Sequence, residues 1–301
     1  MVSGLRLPEK EIRQMDTLKI TAYTDPLCSW CYGQEPALTA LGFSLGDQLE
    51  LHNVMGLMLP DVRVMIGADD AAPARWEQLK AQLKEEYAGA AARTGMPFSS
   101  AHLDVMPPED LNSREMCLGF EAVKLQDEAV ANRFLRLLRQ AALAEDVPVG
   151  QAGIVRELAV MAGADREKYD ASMADGSAEH LLTLDVDACH AANVTGYPTL
   201  KLEYRNNELV LAGCQSPARL IAAAEHVSNG KIRVGTPVFT PKNARKLLER
   251  YGRVSGEEFA AVFGMTDEEL DEAVESLVEF GLVKKVVRGT GYFLEEEASS
   301  C

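Results

Sequence analysis

The sequence predicts an α/β fold with a large helical insertion and a small C-terminal unit of the winged-helix kind. Three observations carry this reading. A short alternating strand runs straight into a helix that opens on Cys28-Ser29-Trp30-Cys31. A long block of purely helical pattern then interrupts the α/β alternation, and strands return only at Tyr197-Pro198-Thr199. Past a linker, three helical stretches and a hairpin close the chain. At 301 residues the chain suits two or three units, at roughly 100–200 residues each.

Leu18-Lys19-Ile20-Thr21-Ala22-Tyr23-Thr24 alternates as a strand does and is stopped by Asp25-Pro26. A helix begins there, with Ala37, Leu38, Leu41 and Leu45 at helical spacing, and Leu49 to Leu59 reads as a second strand ended by Pro60-Asp61. Between Pro73 and Ala174 only helical patterns occur: Trp76-Leu79-Leu83-Tyr87, Met116-Phe120-Val123, Phe134-Leu137-Leu138-Leu143 and Ile154-Leu158-Met161. Gly95-Met96-Pro97, Pro107-Pro108 and Val147-Pro148 punctuate them. After a helix over 178–192, strand-like runs over 199–204 and 208–212 are joined by Asn206-Asn207 as a tight hairpin, and a helix over 217–227 follows. Asn229-Gly230 and Gly235-Thr236-Pro237 form a linker. Helices over 241–251, 256–263 and 267–280, then short strands over 282–287 and 292–294 around Arg288-Gly289-Thr290-Gly291, describe a winged-helix-like unit. The expected domains are an α/β domain from 17–60 and 175–230, an inserted helical domain from 61–174, and a winged-helix-like domain from 236–301.

Composition narrows the function. Hydrophobic content of 47% and charged content of 25% are those of a soluble globular protein. A formal charge of −16 disfavours nucleic-acid phosphate or anionic lipid as a partner. The third C-terminal helix, Asp267-Glu268-Glu269-Leu270-Asp271-Glu272, would meet phosphate with like charge, and Lys284, Lys285 and Arg288 are too few to reverse that. Packing, homodimerisation or partner docking is expected of this unit instead. Arg6, Glu9, Lys10, Glu11 and Arg13 interrupt the apolar residues of Met1–Asp16, so no secretory signal is read there. No window holds the ~18 apolar residues of a spanning helix. The expectation is a cytoplasmic protein with no membrane partner.

Six cysteines in a chain of this size do not make a disulfide scaffold, and only Cys28 and Cys31 are close. A thiolate at a helix start is stabilised by unpaired amides and the helix dipole, and a second cysteine one turn later can close a ring with it. The competing reading, half of a zinc site, needs two more ligands. Cys189-His190 are adjacent and poorly placed to ligate together, and there is no second CxxC or HxxxH, so neither a metal nor a bound cofactor is expected. Cys117, between Met116 and Leu118, reads as a buried inert thiol. His190 reads as a surface or capping residue at the helix leading to the proline turn, and Cys301 falls in a polar tail. Cys214, in Gly213-Cys214-Gln215, turns back towards the face of the pair as a candidate extra redox partner. Trp30 and Tyr32 suggest an apolar recognition surface, while Asp25 either modulates the thiolate or caps the turn.

The order of elements over 17–230 resembles the DsbA family of thioredoxin-fold thiol–disulfide oxidoreductases. Asp25-Pro26-Leu27-Cys28-Ser29-Trp30-Cys31-Tyr32-Gly33 is similar to the Asp-Pro-x-Cys-x-Trp-Cys-Tyr signature of its cytoplasmic, FrnE-like branch. The resemblance implies Cys28 as attacking nucleophile, Cys31 as resolving thiol and Gly196-Tyr197-Pro198-Thr199 as the cis-proline loop. Pro198 then joins the cysteines as a catalytic residue, and Trp30, Tyr197 and Thr199 border the substrate groove. It also implies protein thiols or disulfides as substrates and a cellular thiol such as glutathione or thioredoxin as reductant. Secreted oxidases of the family carry Pro-His between the cysteines; Ser29-Trp30 supplies no cation. Cys28 is therefore expected to have a moderately lowered pKa, suited to exchange, reduction or isomerisation rather than strong oxidation. The alternative function is a redox-sensing adaptor that presents a bound client without turnover. Related glutathione-dependent isomerases of small aromatic carboxylates usually carry a single serine or cysteine, and the intact CxxC argues against them.

Overall fold

The computed structural model describes residues 17–297, so the readings of Met1–Asp16 and of Cys301 lie outside the described residues. Strand β1 (Leu18–Thr24) pairs in parallel with β2 (Leu49–Met55), Leu18 opposite Leu49, and antiparallel with β3 (Thr199–Tyr204), Ile20 opposite Leu202. Strand β4 (Asn207–Ala212) completes a four-stranded sheet of order β2-β1-β3-β4. Because β1 is central, its alternation gives way to continuous burial from Ala22 to Thr24. The β3–β4 turn falls on Arg205-Asn206, one residue earlier than the sequence suggested, since Tyr204 pairs with Asn207 and Arg205 takes a positive φ of 53°.

A short helix α1 (Ser29–Tyr32) follows β1, and a turn at Gly33-Gln34 separates it from α2 (Glu35–Leu45). The single helix read from the sequence is thus two. Helix α2 buries Leu38, Leu41 and Leu45 on the sheet beside Leu220 and Val227 of α11 (Pro217–Val227). Between β2 and β3 run α3 (Val62–Ile66), α4 (Ala72–Thr94), α5 (His102–Val105), α6 (Arg114–Lys124), α7 (Glu128–Ala144), α8 (Ala152–Met161), α9 (Arg166–Ala174) and α10 (Ser177–Ala191). They enclose a second core built on Phe120, Phe134, Leu138 and Tyr32. Among the described residues no helix is long and apolar enough to cross a membrane.

Strand β2 was expected to run to Leu59 but ends at Met55. Its last amide is taken by Asp185 of α10 (2.8 Å), and the chain then turns through Gly56 and Leu57, the latter at φ 50°. Close by, Glu121 is fully buried, and burial and the neighbouring Asp185 outweigh Lys124, 3.3 Å away, raising its carboxyl to about 8.

The C-terminal region contains α12 (Pro241–Tyr251), β5 (Val254–Ser255), α13 (Gly256–Phe263), α14 (Asp267–Glu279), β6 (Val283–Arg288) and β7 (Gly291–Glu296), the strands forming a sheet of order β5-β7-β6. Alternation along β7 sends Leu294 into the region's own core and Phe293 into that of the inserted helices. The β6–β7 turn docks on the loop after α4: Phe98 N donates to Thr290 Oγ1 (3.0 Å) and Thr290 N to Phe98 O (2.9 Å). Gly289, at φ 48°, permits this approach, because a Cβ there would lie 1.9 Å from the Phe98 carbonyl oxygen.

A buried ion network joins the parts. Glu35 of α2 accepts from Arg136 (2.8 Å) and Arg139 of α7, and Arg136 also pairs with Glu258 of α13 (2.6 Å). Glu258 further accepts from Thr39 Oγ1 (2.8 Å) and from Ser255 N (2.8 Å), closing the capping box of α13.

Removing one partner of a buried pair leaves the other charge uncompensated, so Glu258→Ala lowers the unfolding free energy by about 3 kcal/mol. Urea denaturation measures this, and a loss below about 0.5 kcal/mol, typical of a surface site, contradicts it. Glu121 has its folded pKa raised from 4.5 to about 8, so the stability it lends is fully present below pH 4.5 and is lost as pH rises through 8. Between pH 5 and 8.5, Glu121→Gln therefore gains on the order of 3 kcal/mol relative to the wild type. Parallel pH profiles of the two proteins count against it.

Candidate active site

Strand β1 delivers the chain to Asp25, which is wholly buried. Its Oδ1 accepts the Leu27 amide (2.9 Å) and its Oδ2 the Met58 amide (2.7 Å), so one carboxylate binds the CxxC turn to the segment after β2. Burial pushes this carboxyl above the usual range, against the two amides, the Ser113 hydroxyl and the charge of Arg139. The sequence left open whether Asp25 caps the turn or acts on the thiols. It braces the turn, and its charge also reaches Cys28.

Cys28 is the N-cap of α1, with extended backbone at φ −73° and ψ 112°, and its sulfur accepts the Cys31 amide at 3.2 Å. The Tyr197–Pro198 peptide bond is cis, and the Cys28 thiol donates to the Tyr197 carbonyl at 3.6 Å. The proline turn and the cysteine pair therefore meet, across 169 residues of sequence. The turn is braced twice: Thr199 Oγ1 donates to Gly196 O (2.8 Å), and Tyr197 OH donates to Gly56 O (3.1 Å). Glycine is required at 56, since a Cβ would lie 2.1 Å from the Tyr197 ring. Thr199 is buried and its hydroxyl is engaged inside the loop, whereas Tyr197 and Trp30 stay half-buried. The Trp30 ring carries the Arg93 guanidinium at 5.6 Å. Tyr32 does not share this surface: it is 1% exposed and packs edge-on against Phe98 at 5.1 Å, a core residue rather than the recognition residue expected.

Both cysteines are free thiols, Cys28 5% and Cys31 1% exposed. Hydrogen bonding to the Cys31 sulfur holds Cys28 well above the usual thiol range, with burial and the charges of Cys31 and Asp25 acting the same way. Burial also opposes ionisation of Cys31, but the hydrogen bond from Cys28, the positive charge of Arg139 and the Thr24 hydroxyl outweigh it and lower its pKa. The expected lowering at Cys28 is thereby corrected. The cation stands on the Cys31 side, while Cys28 faces a carboxylate and a carbonyl. The pair loses its first proton easily and its second with difficulty.

Arg139 is the residue that sequence reasoning missed. It is 3% exposed, and its two Nη atoms donate to Glu35 and to Thr24 Oγ1. An arginine between Leu138 and Leu143 in an apolar helix was the available signal.

The remaining cysteines have separate settings. Cys117 is buried, and its thiol points at Asp25 Oδ2 from 3.9 Å. Cys189 is buried beside the Tyr197 hydroxyl and is raised to about 11, chiefly by burial. Cys214 is half-buried and raised to about 11, by burial first, with Arg93 opposing and Cys31 adding. His190 is exposed. Among the described residues no group of three or more His, Cys, Asp or Glu is arranged to hold a metal ion.

Comparison with known proteins agrees with this architecture. The family model described as Thioredoxin matches residues 22–216, well over half of the chain. The ClpXP adapter protein SpxH of Shouchella clausii is 24% identical over 264 residues, which span 87% of this chain and 82% of SpxH. A candidate protein disulfide isomerase from Nitrosomonas europaea superposes with a TM-score of 0.58 at 17% identity, over 70% of this chain and 97% of its own. The cytosolic disulfide reductase DsbM from Pseudomonas aeruginosa, solved with GSH, superposes with a TM-score of 0.50 at 20% identity, over 70% and 93%. With a CxxC turn on the first strand, a cis-proline turn against it and a helical insertion between β2 and β3, the chain belongs to the thioredoxin family and has the fold of its DsbA-like members.

Proposed function

We propose that this protein is a cytoplasmic thiol–disulfide oxidoreductase acting on protein disulfides, with Cys28 as nucleophile, Cys31 as resolving thiol and Pro198 shaping the substrate loop. The contact of the Cys28 sulfur with the Tyr197 carbonyl at 3.6 Å carries the reading, because it sets the reactive thiol beside backbone that can pair with an extended chain. Trp30, Tyr197 and Thr199 border the groove, Thr199 through its backbone. The reactive parts lie in 17–60 and 175–230, the helices of 61–174 supply the cation, and the winged-helix-like unit expected over 236–301 closes the structure from behind through its described residues, 236–297, and offers a docking surface.

Once the pair has ionised, one proton is shared between the two hydrogen-bonded sulfurs. Transfer of that proton between the neighbouring sulfurs makes Cys28 the thiolate. It attacks one sulfur of a substrate disulfide; a Cys28–substrate disulfide forms and the other substrate sulfur leaves as thiolate. Cys31 passes its proton to the departed substrate thiolate and attacks the Cys28 sulfur, which releases the second substrate sulfur as thiolate and closes the Cys28–Cys31 disulfide. Two electrons have then passed to the substrate. Two glutathione molecules restore the dithiol and leave as glutathione disulfide, a choice of reductant supported by the DsbM structure holding GSH.

A second reading is favoured by one observation. The likeness to SpxH extends over 87% of the chain, whereas that to DsbM stops at 70%. An adaptor that presents a client to a protease uses the same fold without turnover. Inability to reduce or reshuffle a model disulfide with glutathione present, together with stable capture of one specific protein, favours the adaptor.

Two outcomes are expected. Thiolate absorbance of the reduced protein titrates in two steps, the first below the free-thiol value of about 8.5 and the second well above it. A single step near the free-thiol value contradicts the shared-proton arrangement. Cys31→Ser accumulates mixed disulfides on Cys28 in cells, recovered by diagonal electrophoresis, and Cys28→Ser does not. Equal recovery from both variants, with folding intact, rules against Cys28 as nucleophile.

A further inference from the structure

A cavity of about 350 Å³ opens between β2, α2, α7 and α12, and no cysteine lines it. Leucines of β2, α2 and α7 make its walls, yet four arginines border it, Arg133, Arg136, Arg139 and Arg250, against one lining carboxylate, Glu35. In a chain of charge −16 this is a local reversal of sign.

The charges do not balance. Glu35 and Glu258 serve Arg136 and Arg139. Arg133 donates to the Ala162 carbonyl (3.3 Å), and Arg250 lies 5.4 Å from the Tyr251 ring centre; neither has a carboxylate partner among the described residues. Two positive charges are therefore uncompensated. The deeper pair is engaged by Glu35, Glu258 and Thr24, which leaves Arg133 and Arg250 as the arginines free to meet a ligand's charge.

We propose that this cavity is a binding site for a small carboxylate with a short apolar body, its carboxylate held by the arginines and its body by the leucine walls. Planar guanidinium groups match a carboxylate in a fork-to-fork contact. The volume lies at the low end of the ~300–1,000 Å³ found for small-molecule sites. Inorganic phosphate would meet the arginines but leave the leucines wet, and a neutral apolar molecule would leave the arginines unmet.

The test is calorimetric titration of the full-length reduced protein with hexanoate, with hexanol and inorganic phosphate as controls. Hexanoate is expected to bind saturably, one per chain, at least about tenfold more tightly than either control. Arg250→Ala and the double variant Arg133→Ala/Arg250→Ala weaken hexanoate by about tenfold or more. Both arginines are exposed, so the melting temperature without ligand stays unchanged in these variants. Absence of saturable heat, equal binding of either control, or unaltered affinity in folded variants overturns the proposal.

Discussion

Glu35 holds the molecule together and tunes its chemistry through the same two oxygens. It stands at the start of the helix that follows the CxxC turn, and it draws Arg136 and Arg139 out of the inserted helices to meet it. Arg136 then engages Glu258 from the C-terminal region. Three stretches remote in sequence are fixed to one another by charges that cannot be left unpaired in a dry interior. Such a network adds little net stability compared with apolar residues of equal volume, but it strongly penalises any arrangement in which one member loses its partner. The ion network selects the geometry, and the apolar cores supply the stabilisation.

The thiol pair inherits its asymmetry from that network. Arg139 is held in place by Glu35 and Thr24, so its positive charge is felt at Cys31 rather than at Cys28. The outer cysteine faces the Tyr197 carbonyl and a buried carboxylate. A dipeptide between the cysteines that carries no cation is thus compensated from behind, on a different element. Asp25 acts in the opposite sense: by accepting the Leu27 and Met58 amides it locks the CxxC turn to the segment after β2, and its charge adds to the Cys31 hydrogen bond and to burial in raising the Cys28 pKa.

Much of this was legible in the sequence because local signals carried it. Alternation from Leu18 to Thr24, the Asp25-Pro26 stop, the CxxC and the Tyr197-Pro198 turn are short-range patterns, and the helices over Pro241–Tyr251 and Gly256–Phe263 begin and end where capping and spacing put them. What escaped depends on partners far away in the chain. Strand β2 stops at Met55, where its partner β1 ends at Thr24, and the next residue must be bare for Tyr197 to pack against it, neither of which is visible around residue 55. Tyr32 is buried because Phe98 covers it, and the Cys31 pKa is lowered in part by an arginine more than a hundred residues downstream. Patterning reports which face of an element is apolar, but not which polar residue another element will bring to it.

The clasp between Thr290 and Phe98 has a bearing on the order of assembly. Tyr32, the residue after Cys31, rests on Phe98, and Phe98 is gripped through both its amide and its carbonyl by Thr290. The wall behind the thiols is therefore finished by a residue 192 positions downstream of Phe98. Domains generally fold as units while a chain emerges from the ribosome, N-terminal parts first. Here Cys28 and Cys31 leave the ribosome more than 250 residues ahead of the threonine that completes their backing. The surroundings of the thiol pair are thus completed only after Thr290 has been made, long after the pair itself.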